Sequence, residues 1–438
     1  MSRVGLGLGS LLVLLAATMS AFGLKLLSKS AILLNNRNTS FYEISKVTYA
    51  NAAVVLDAAV AIKCFGVSIS YLVVIGDLMP EITKTVFPSA VDSLYSDKNF
   101  WITIGILLIS PISFFKKLDS LKYTSTLALV AVFYLVSIVV GFALIWPEGM
   151  PKSGWIKFEN IVWFRFGNGM EVAKLGPVFV FAFTCHQNIF AVHNELYKNT
   201  KKRMAHVINL SISSAFVIYQ TIGILGYLSY GESLNSNIIT MYPKNSFVTF
   251  GQFAITILVL LSFPLQCHPC RQSLDKVLDG IAILYSGDAE SGDNTIKKGE
   301  ISPLKFNLMT LSILVFAYIV AISVKDLSSV SATGSTTICY ILPGILFNKM
   351  CWIIEKEPIQ VQSESAALLQ DDQSQNQQHS QEVVSCNANE FHQNFGFKIG
   401  NVGNKVERYF GLLLSLFGFF FMILSVSVQL FAGQSVGH

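Results

Sequence analysis

The stretch FVFAFTCHQNIFAVHNEL, residues Phe179–Leu196, decides how the rest of the chain is interpreted. Its first half is apolar, as in a membrane-spanning helix, and a polar run follows: Thr184, Cys185, His186, Gln187 and Asn188. At about 1.5 Å per residue, Thr184 lies about 12 Å past Gly176, which is near the middle of a bilayer. Polar groups at that depth are costly unless they face protein or a water-filled cavity.

Two interpretations of this run stay open. A helix that breaks near mid-membrane leaves backbone N–H and C=O groups free, and transporters use such breaks to bind the charged ends of a substrate. Alternatively, the run is a polar contact between helices of a bundle. The first interpretation predicts that residues 184–188 are non-helical, face an internal cavity and form half of a substrate site.

The composition indicates an integral membrane protein. The chain of 438 residues is 52% hydrophobic and only 13% charged, whereas a soluble domain is about 25% charged. Its seven cysteines are scattered and offer no disulfide framework. The Cys267-His-Pro-Cys270 run has no second cysteine pair, so we expect it to be the cytosolic end of a helix.

Ten apolar runs are each close to the ~20 residues that cross the hydrocarbon of a bilayer. They lie at about 4–24, 51–76, 99–115, 123–146, 174–194, 206–230, 247–267, 304–324, 327–347 and 408–432. Runs of this length predict an all-α membrane protein, because a helix satisfies its backbone hydrogen bonds internally.

The distribution of Lys and Arg predicts the orientation of these spans. The loops after the odd-numbered spans carry 21 basic residues, and the opposite side carries nine. Because cytosolic loops carry the excess of basic residues, the odd-numbered loops are predicted to be cytosolic. Both termini would then face the other side of the membrane.

We expect residues 1–438 to form a single transmembrane domain that contains two disordered cytosolic loops, at 286–303 and 359–395. The second loop holds nine Gln and few large apolar residues. So little hydrophobic surface cannot offset the entropy of the chain.

Two further spans supply candidate site residues. The stretch LSSVSATGSTTICYILPG, 327–344, is rich in hydroxyls that either bond to their own helix or line a wet face; Ser331 and Ser335 are the candidates here. In the span at 51–76, Gly66 and Ser70 stand four apart on one face and permit close approach of helices. Lys63 is an anomaly in that span, because a lysine so deep in a membrane must snorkel or find a partner.

The sequence lacks the patterns of an enzyme. Paired carboxylates, a Ser/His/Asp set and a metal-ligand pair such as HExxH are all missing. We therefore expect no catalytic residue, metal, cofactor or nucleic-acid partner.

Four motifs carry a resemblance to a known family: CFGVSISYLVVIGDLMP (64–80), TCHQNIFAVHNEL (184–196), FPLQCHPCRQSLD (263–275) and GSTTICYILPG (334–344). They resemble the amino acid/auxin permease family of the APC superfamily, above all its fungal vacuolar amino-acid transporters, relatives of the sodium-coupled neutral amino-acid transporters. The resemblance implies the leucine-transporter-like inverted-repeat bundle. Eleven spans are expected there, and the broken first and sixth helices bind the substrate's carboxylate and amine.

The run at 4–24 matches the family's second helix, so we expect ten of the eleven helices, with the first one missing. An open groove lined by Ser68, Ala182 and Ser335 would result. A transporter truncated in this way could be inactive.

The resemblance further implies secondary active transport of amino acids, driven by protons, by alternating access around a mid-membrane site. The substrate-binding residues would be Thr184, Cys185, His186, Gln187, Asn188, Gly66, Ser70, Ser331 and Ser335. The expected partners are the amino acid, the coupling proton and the lipid bilayer. The expected location is the vacuolar membrane, with another endomembrane or the plasma membrane as the alternative. A membrane-embedded amino-acid sensor is the alternative function.

Overall fold

The computed structural model describes residues 1–34, 39–88, 94–115, 122–145, 160–165, 169–197, 200–234, 237–286, 302–323, 334–355 and 405–434. These segments are almost wholly helical and include no β-strand. In chain order the helices are α1 (Leu6–Leu34), α2 (Phe41–Thr48), α3 (Ala53–Val86), α4 (Lys98–Ser113), α5 (Lys122–Ile145), α6 (Gly169–Ala182), α7 (Ile189–Glu195), α8 (Lys201–Tyr230), α9 (Ser246–Ser286), α10 (Pro303–Ser323), α11 (Gly334–Glu355) and α12 (Lys405–Gln434).

Eight of the described helices are long and apolar enough to cross a membrane: α1, α3, α5, α8, α9, α10, α11 and α12. Helix α4 is apolar but shorter, with 16 residues. The predicted span at 174–194 corresponds to two shorter pieces, α6 and α7. The prediction of an all-α membrane protein is therefore confirmed, while the inverted repeat and the count of ten transmembrane helices, out of the eleven expected for the family, stay predictions.

Polar residues at the expected positions start several helices. The side chain of Ser40 accepts a hydrogen bond from the backbone N–H of Glu43 at the start of α2. Asp97 caps α4 in the same way, and Thr200 caps α8. Helix α1 uses backbone groups instead, because the N–H groups of Leu6 and Gly7 each donate to a carbonyl of residues 162–163, at 2.8 Å. Each of these contacts satisfies an N–H group that a helix start leaves free.

The long helix α3 packs along α9, and more than half of its buried apolar residues lie in the largest apolar cluster, together with residues of α1, α4, α8, α10 and α11. Small residues bring some helices into close contact. At Gly344 of α11, the space that a Cβ would fill is taken by the Gly411 backbone of α12. Helices without side chains at the crossing approach closely in lipid.

The two predicted cytosolic loops fall largely outside the described residues. Only the ends of the 286–303 loop are described, where α9 ends at Ser286 and α10 begins at Pro303. The whole of 359–395 lies outside the described ranges. Their disorder and the single-domain organisation remain predictions.

Candidate functional site

The helix break predicted from the polar run is present. Helix α6 ends at Ala182, and the next three residues, Phe183–Cys185, are non-helical. One turn of 3-10 helix, His186–Asn188, then leads into α7. The break thus begins one residue before the polar run, and its second half is a tight helical turn where the sequence predicted an unwound backbone.

The carbonyl groups at the end of α6 are bound by hydroxyl groups. Thr184 Oγ1 donates to the carbonyl of Val180 at 2.8 Å, within the same segment. Two partners come from other helices: Tyr219 of α8 donates its hydroxyl to the Ala182 carbonyl at 3.0 Å. Ser20 of α1 donates to the Phe183 carbonyl at 2.8 Å. These bonds replace the helical partners that the break removes.

The N–H groups on the other side of the break are free within the described structure. Asn188 donates its backbone N–H to the carbonyl of Cys185 at 3.0 Å. The N–H groups of Cys185, His186 and Gln187 donate to no backbone carbonyl among the residues with described positions. At the starts of α1, α2, α4 and α8, by contrast, a backbone carbonyl or a capping side chain is in place. Free N–H groups that converge at a helix start can bind an anion.

Helix α11 meets the break through an irregular turn of its own. Thr337–Ile341 form a π-helical turn, in which each hydrogen bond spans one residue more than in an α-helix. Cys339 in this turn donates its thiol to Thr184 Oγ1 at 3.2 Å. Such turns are rare and often lie at functional sites.

Gly23 of α1 packs between the two irregular segments. A Cβ added to Gly23 would lie 3.0 Å from Nε2 of His186, and closer still to the backbone carbonyl oxygen of Cys339. Only a residue without a side chain fits at this contact. The α1 helix therefore joins the break and the π-helical turn in one packed unit.

A histidine within the break and a lysine next to it are both buried. His186 is completely buried, and neither ring nitrogen forms a hydrogen bond with a described residue. The Ser20 carbonyl lies near the ring but outside hydrogen-bond geometry. Lys63 of α3 is 1% exposed and interacts electrostatically with Cys185, His186 and Cys339. Within the described part of the chain, no carboxylate lies at ion-pair distance from Lys63.

Two side chains at the break are exposed. Cys185 is exposed although it lies in the middle of the α6–α7 span, and Tyr219 is 38% exposed. Gln187 donates from Nε2 to Oε1 of Gln266 in α9 at 3.3 Å, while its own Oε1 has no partner among described atoms. Polar side chains from three sequence-distant segments thus lie at or next to the break.

The predicted site residues fall into three groups. Thr184–Asn188 lie together at the break, and Ser335 is fully buried at the start of α11. Gly66 and Ser70 lie on α3, where Ser70 donates its hydroxyl to the Gly66 carbonyl of its own helix at 3.0 Å. No described hydrogen bond connects that pair to the break. Ser331 is outside the described residues.

The candidate list left out several residues that the fold brings to the break: Lys63, Ser20, Tyr219, Gln266 and Cys339. A charge within an apolar span was a usable signal for Lys63, because such residues are expensive and usually functional. The other four are ordinary polar residues of helices, and their sequence has no feature that points to the break.

Comparison with known proteins identifies the family. The family described as "Transmembrane amino acid transporter protein" matches residues 1–361. The chain belongs to this family. It is therefore a transporter and not an enzyme, as the sequence predicted, and amino acids are its class of substrate.

Several relatives cover most of this transporter. Vacuolar amino acid transporter 5 of Schizosaccharomyces pombe is 38% identical over 352 residues, which cover 79% of this chain and 78% of the relative. Vacuolar amino acid transporter 6 of Saccharomyces cerevisiae is 34% identical over 383 residues, which cover 79% of this chain and 84% of the relative. Sodium-coupled neutral amino acid transporter 7 of Danio rerio is 27% identical over 320 residues, which cover 71% of this chain and 65% of the relative. The resemblance and the location in the vacuolar membrane, as a multi-pass protein, are confirmed.

Proposed function

We propose that this transporter carries amino acids across the vacuolar membrane by proton-coupled secondary transport, with alternating access around the break at 184–188. The observation that carries the proposal is the asymmetry of the break. Its carbonyl groups are bound by hydroxyls, whereas the N–H groups of Cys185, His186 and Gln187 are free among the described residues.

The substrate's carboxylate would bind to these free N–H groups, because an anion accepts hydrogen bonds from converging backbone donors. The residues proposed to surround the substrate are Thr184, Cys185, His186, Gln187, Asn188, Gly66, Ser70, Ser331 and Ser335. Alternating access would use the three non-helical residues between α6 and α7 as a hinge, because a few such residues can absorb the change in backbone angles.

Uptake into sealed vacuolar vesicles tests the proposal. Vesicles from cells that express the chain are compared with vesicles from cells that lack it, with a mixture of the twenty radiolabelled amino acids as substrate. We expect chain-dependent uptake that disappears when a protonophore collapses the pH gradient and persists when potassium replaces sodium.

Two results would contradict the proposal in different ways. Uptake that survives the loss of the pH gradient but requires sodium would replace the proton with sodium as the coupling ion. Amino-acid binding without any chain-dependent flux would overturn transport and favour an amino-acid sensor.

A further inference from the structure

We infer that Lys63 carries the coupling proton: it takes up a proton when the substrate's carboxylate binds at the break and releases it when the substrate leaves. This inference rests on the proposed proton-coupled transport. It adds the residue that links the proton to the substrate.

The first argument is the position of Lys63. It lies ten residues after Ala53, the start of the 34-residue helix α3, which is about 15 Å along the helix axis. Its side chain is 1% exposed, so it does not extend to the membrane surface. Gly334 of α11 makes room for it, because a Cβ there would lie 2.9 Å from the Cβ of Lys63.

The second argument is the set of groups that face Lys63. The titratable groups within electrostatic range of Lys63 are Cys64 on α3, Cys339 on α11, and Cys185 and His186 at the break. None of these four is a carboxylate. On the neighbouring face of α3, Cys267 of α9 lies near Cys64, and Cys270 donates its thiol to the Ala61 carbonyl at 3.5 Å.

An ammonium group in such surroundings is expensive, because burying a charge costs free energy unless an opposite charge accompanies it. An arriving carboxylate supplies that charge. The free N–H groups proposed to bind it belong to Cys185, His186 and Gln187, and Lys63 interacts electrostatically with the first two of these residues. A carboxylate bound there therefore favours the protonated form of Lys63.

This coupling works in both directions. If the substrate favours protonation of Lys63, protonation must favour substrate binding by the same factor. Substrate and proton then bind together on the side with more protons and leave together on the other side. The transfer balances, because one proton moves from water to the amine nitrogen and returns to water at release.

His186 is the competing proton carrier. Its ring is enclosed against Gly23, whereas Lys63 has a flexible four-carbon stem that can follow a substrate. A protonated Lys63 would also repel a second positive charge on His186. We therefore assign His186 the role of a neutral neighbour.

Calorimetry tests the assignment on the full chain, purified and placed in lipid nanodiscs. The twenty amino acids are titrated singly, and the tightest binder is then titrated in two buffers with different ionisation enthalpies. The difference gives the number of protons taken up for each amino acid bound. We expect about one proton for the unchanged chain, and none for Lys63→Met or Lys63→Arg, which hold the side chain neutral or charged.

Affinity gives a second measurement. The unchanged chain should bind the amino acid more weakly as pH rises, by up to about tenfold for each pH unit. The affinity of Lys63→Arg and Lys63→Met should not depend on pH in this way. Binding by either variant also shows that the variant is folded, so the pair keeps the test valid if one of them does not fold.

Two further variants serve as comparisons. Lys98→Met removes a lysine that is ion-paired with Asp77 at 2.7 Å at an exposed position, and it should keep the proton uptake of the unchanged chain. His186→Gln alters the proposed site itself, so only the number of protons taken up for each amino acid bound is compared, and we expect that number to stay about one. Proton uptake that persists in Lys63→Met, or that disappears in His186→Gln while Lys63→Met retains it, would overturn the inference.

The outcomes also separate this inference from the proposed function. If the unchanged chain binds an amino acid without proton uptake at any pH, Lys63 is not the proton carrier, and amino-acid transport is unaffected. If it binds no amino acid at all, the proposed substrate site fails first.

Discussion

Helix α9 runs from Ser246 to Ser286 without interruption although Pro264 and Pro269 lie inside it. Helix α6, in contrast, ends at Ala182, and the break from Phe183 to Asn188 contains neither proline nor glycine. Pro80 in α3 and Pro111 in α4 also lie inside continuous helices. The residues that usually interrupt helices are therefore not what interrupts this one.

The difference lies in the partners of the backbone. A proline removes one hydrogen bond from a helix, and in a membrane the rest of the helix is kept because lipid offers no other partner. At the break, Tyr219 and Ser20 from other helices bind the carbonyls of Ala182 and Phe183. Hydrogen bonds from other helices thus compensate for the helical bonds that the break removes. Four substitutions test this comparison.

The largest effect is expected for Thr184→Leu. Thr184 donates to the Val180 carbonyl at 2.8 Å and accepts the thiol of Cys339 at 3.2 Å. Leucine removes both contacts, at about 1–3 kcal/mol for each buried group left unpaired. Amino-acid uptake by vacuolar vesicles should fall by roughly 10- to 100-fold, with a normal amount of protein in the membrane.

Thr221→Leu is the matched control for this substitution. Thr221 forms the same type of bond, to the Val217 carbonyl at 2.8 Å, but on an exposed part of α8. It should leave uptake unchanged. Equal losses of uptake in the two variants would show that replacing any threonine in a span impairs transport, and that the break has no special role.

Gly23→Ala should have the next largest effect. A Cβ at this position meets the Cys339 carbonyl and Nε2 of His186, and overpacking of this kind destabilises by about 1–3 kcal/mol. The apparent melting temperature of the purified protein should fall, together with uptake. Gly141→Ala is the control, because no atom lies within 4 Å of a Cβ at Gly141; a similar fall there would mean that the effect is not steric.

Ser20→Ala tests the tertiary bond itself. It removes the donor to the Phe183 carbonyl, and an unsatisfied buried acceptor costs about 1–3 kcal/mol, of which part is recovered if a water enters. Stability should fall more than in Ser30→Ala, where the lost bond joins a buried serine to the Leu26 carbonyl of its own helix. If both variants lose the same stability, the bond across helices contributes nothing beyond a local one.

Pro111→Ala should have the smallest effect. Pro111 is exposed and lies inside the continuous helix α4. Alanine restores an N–H group without disturbing a packed contact, so the melting temperature and uptake should stay within experimental error or rise slightly. A marked loss of either would show that prolines do shape the helices of this protein.

The sequence by itself was sufficient to predict the class of protein and the location of the break. Long apolar runs require helices in a membrane, and the polar run after Phe183 was visible because mid-membrane polarity is expensive. Four motifs were sufficient for the family, which the match over residues 1–361 confirms. Such features are local, so no knowledge of neighbouring helices is needed to recognise them.

Only the tertiary structure decided what surrounds the break. Ser20, Tyr219 and Cys339 are 163, 37 and 155 residues from the atoms they bind, and nothing in their own spans distinguishes them from other polar residues. Lys63 differs in part, because its charge within an apolar span marks it as an anomaly, but the sequence does not identify the thiols and the imidazole around it. Which groups meet depends on how helices pack, and packing depends on the shapes of both surfaces rather than on either sequence segment alone.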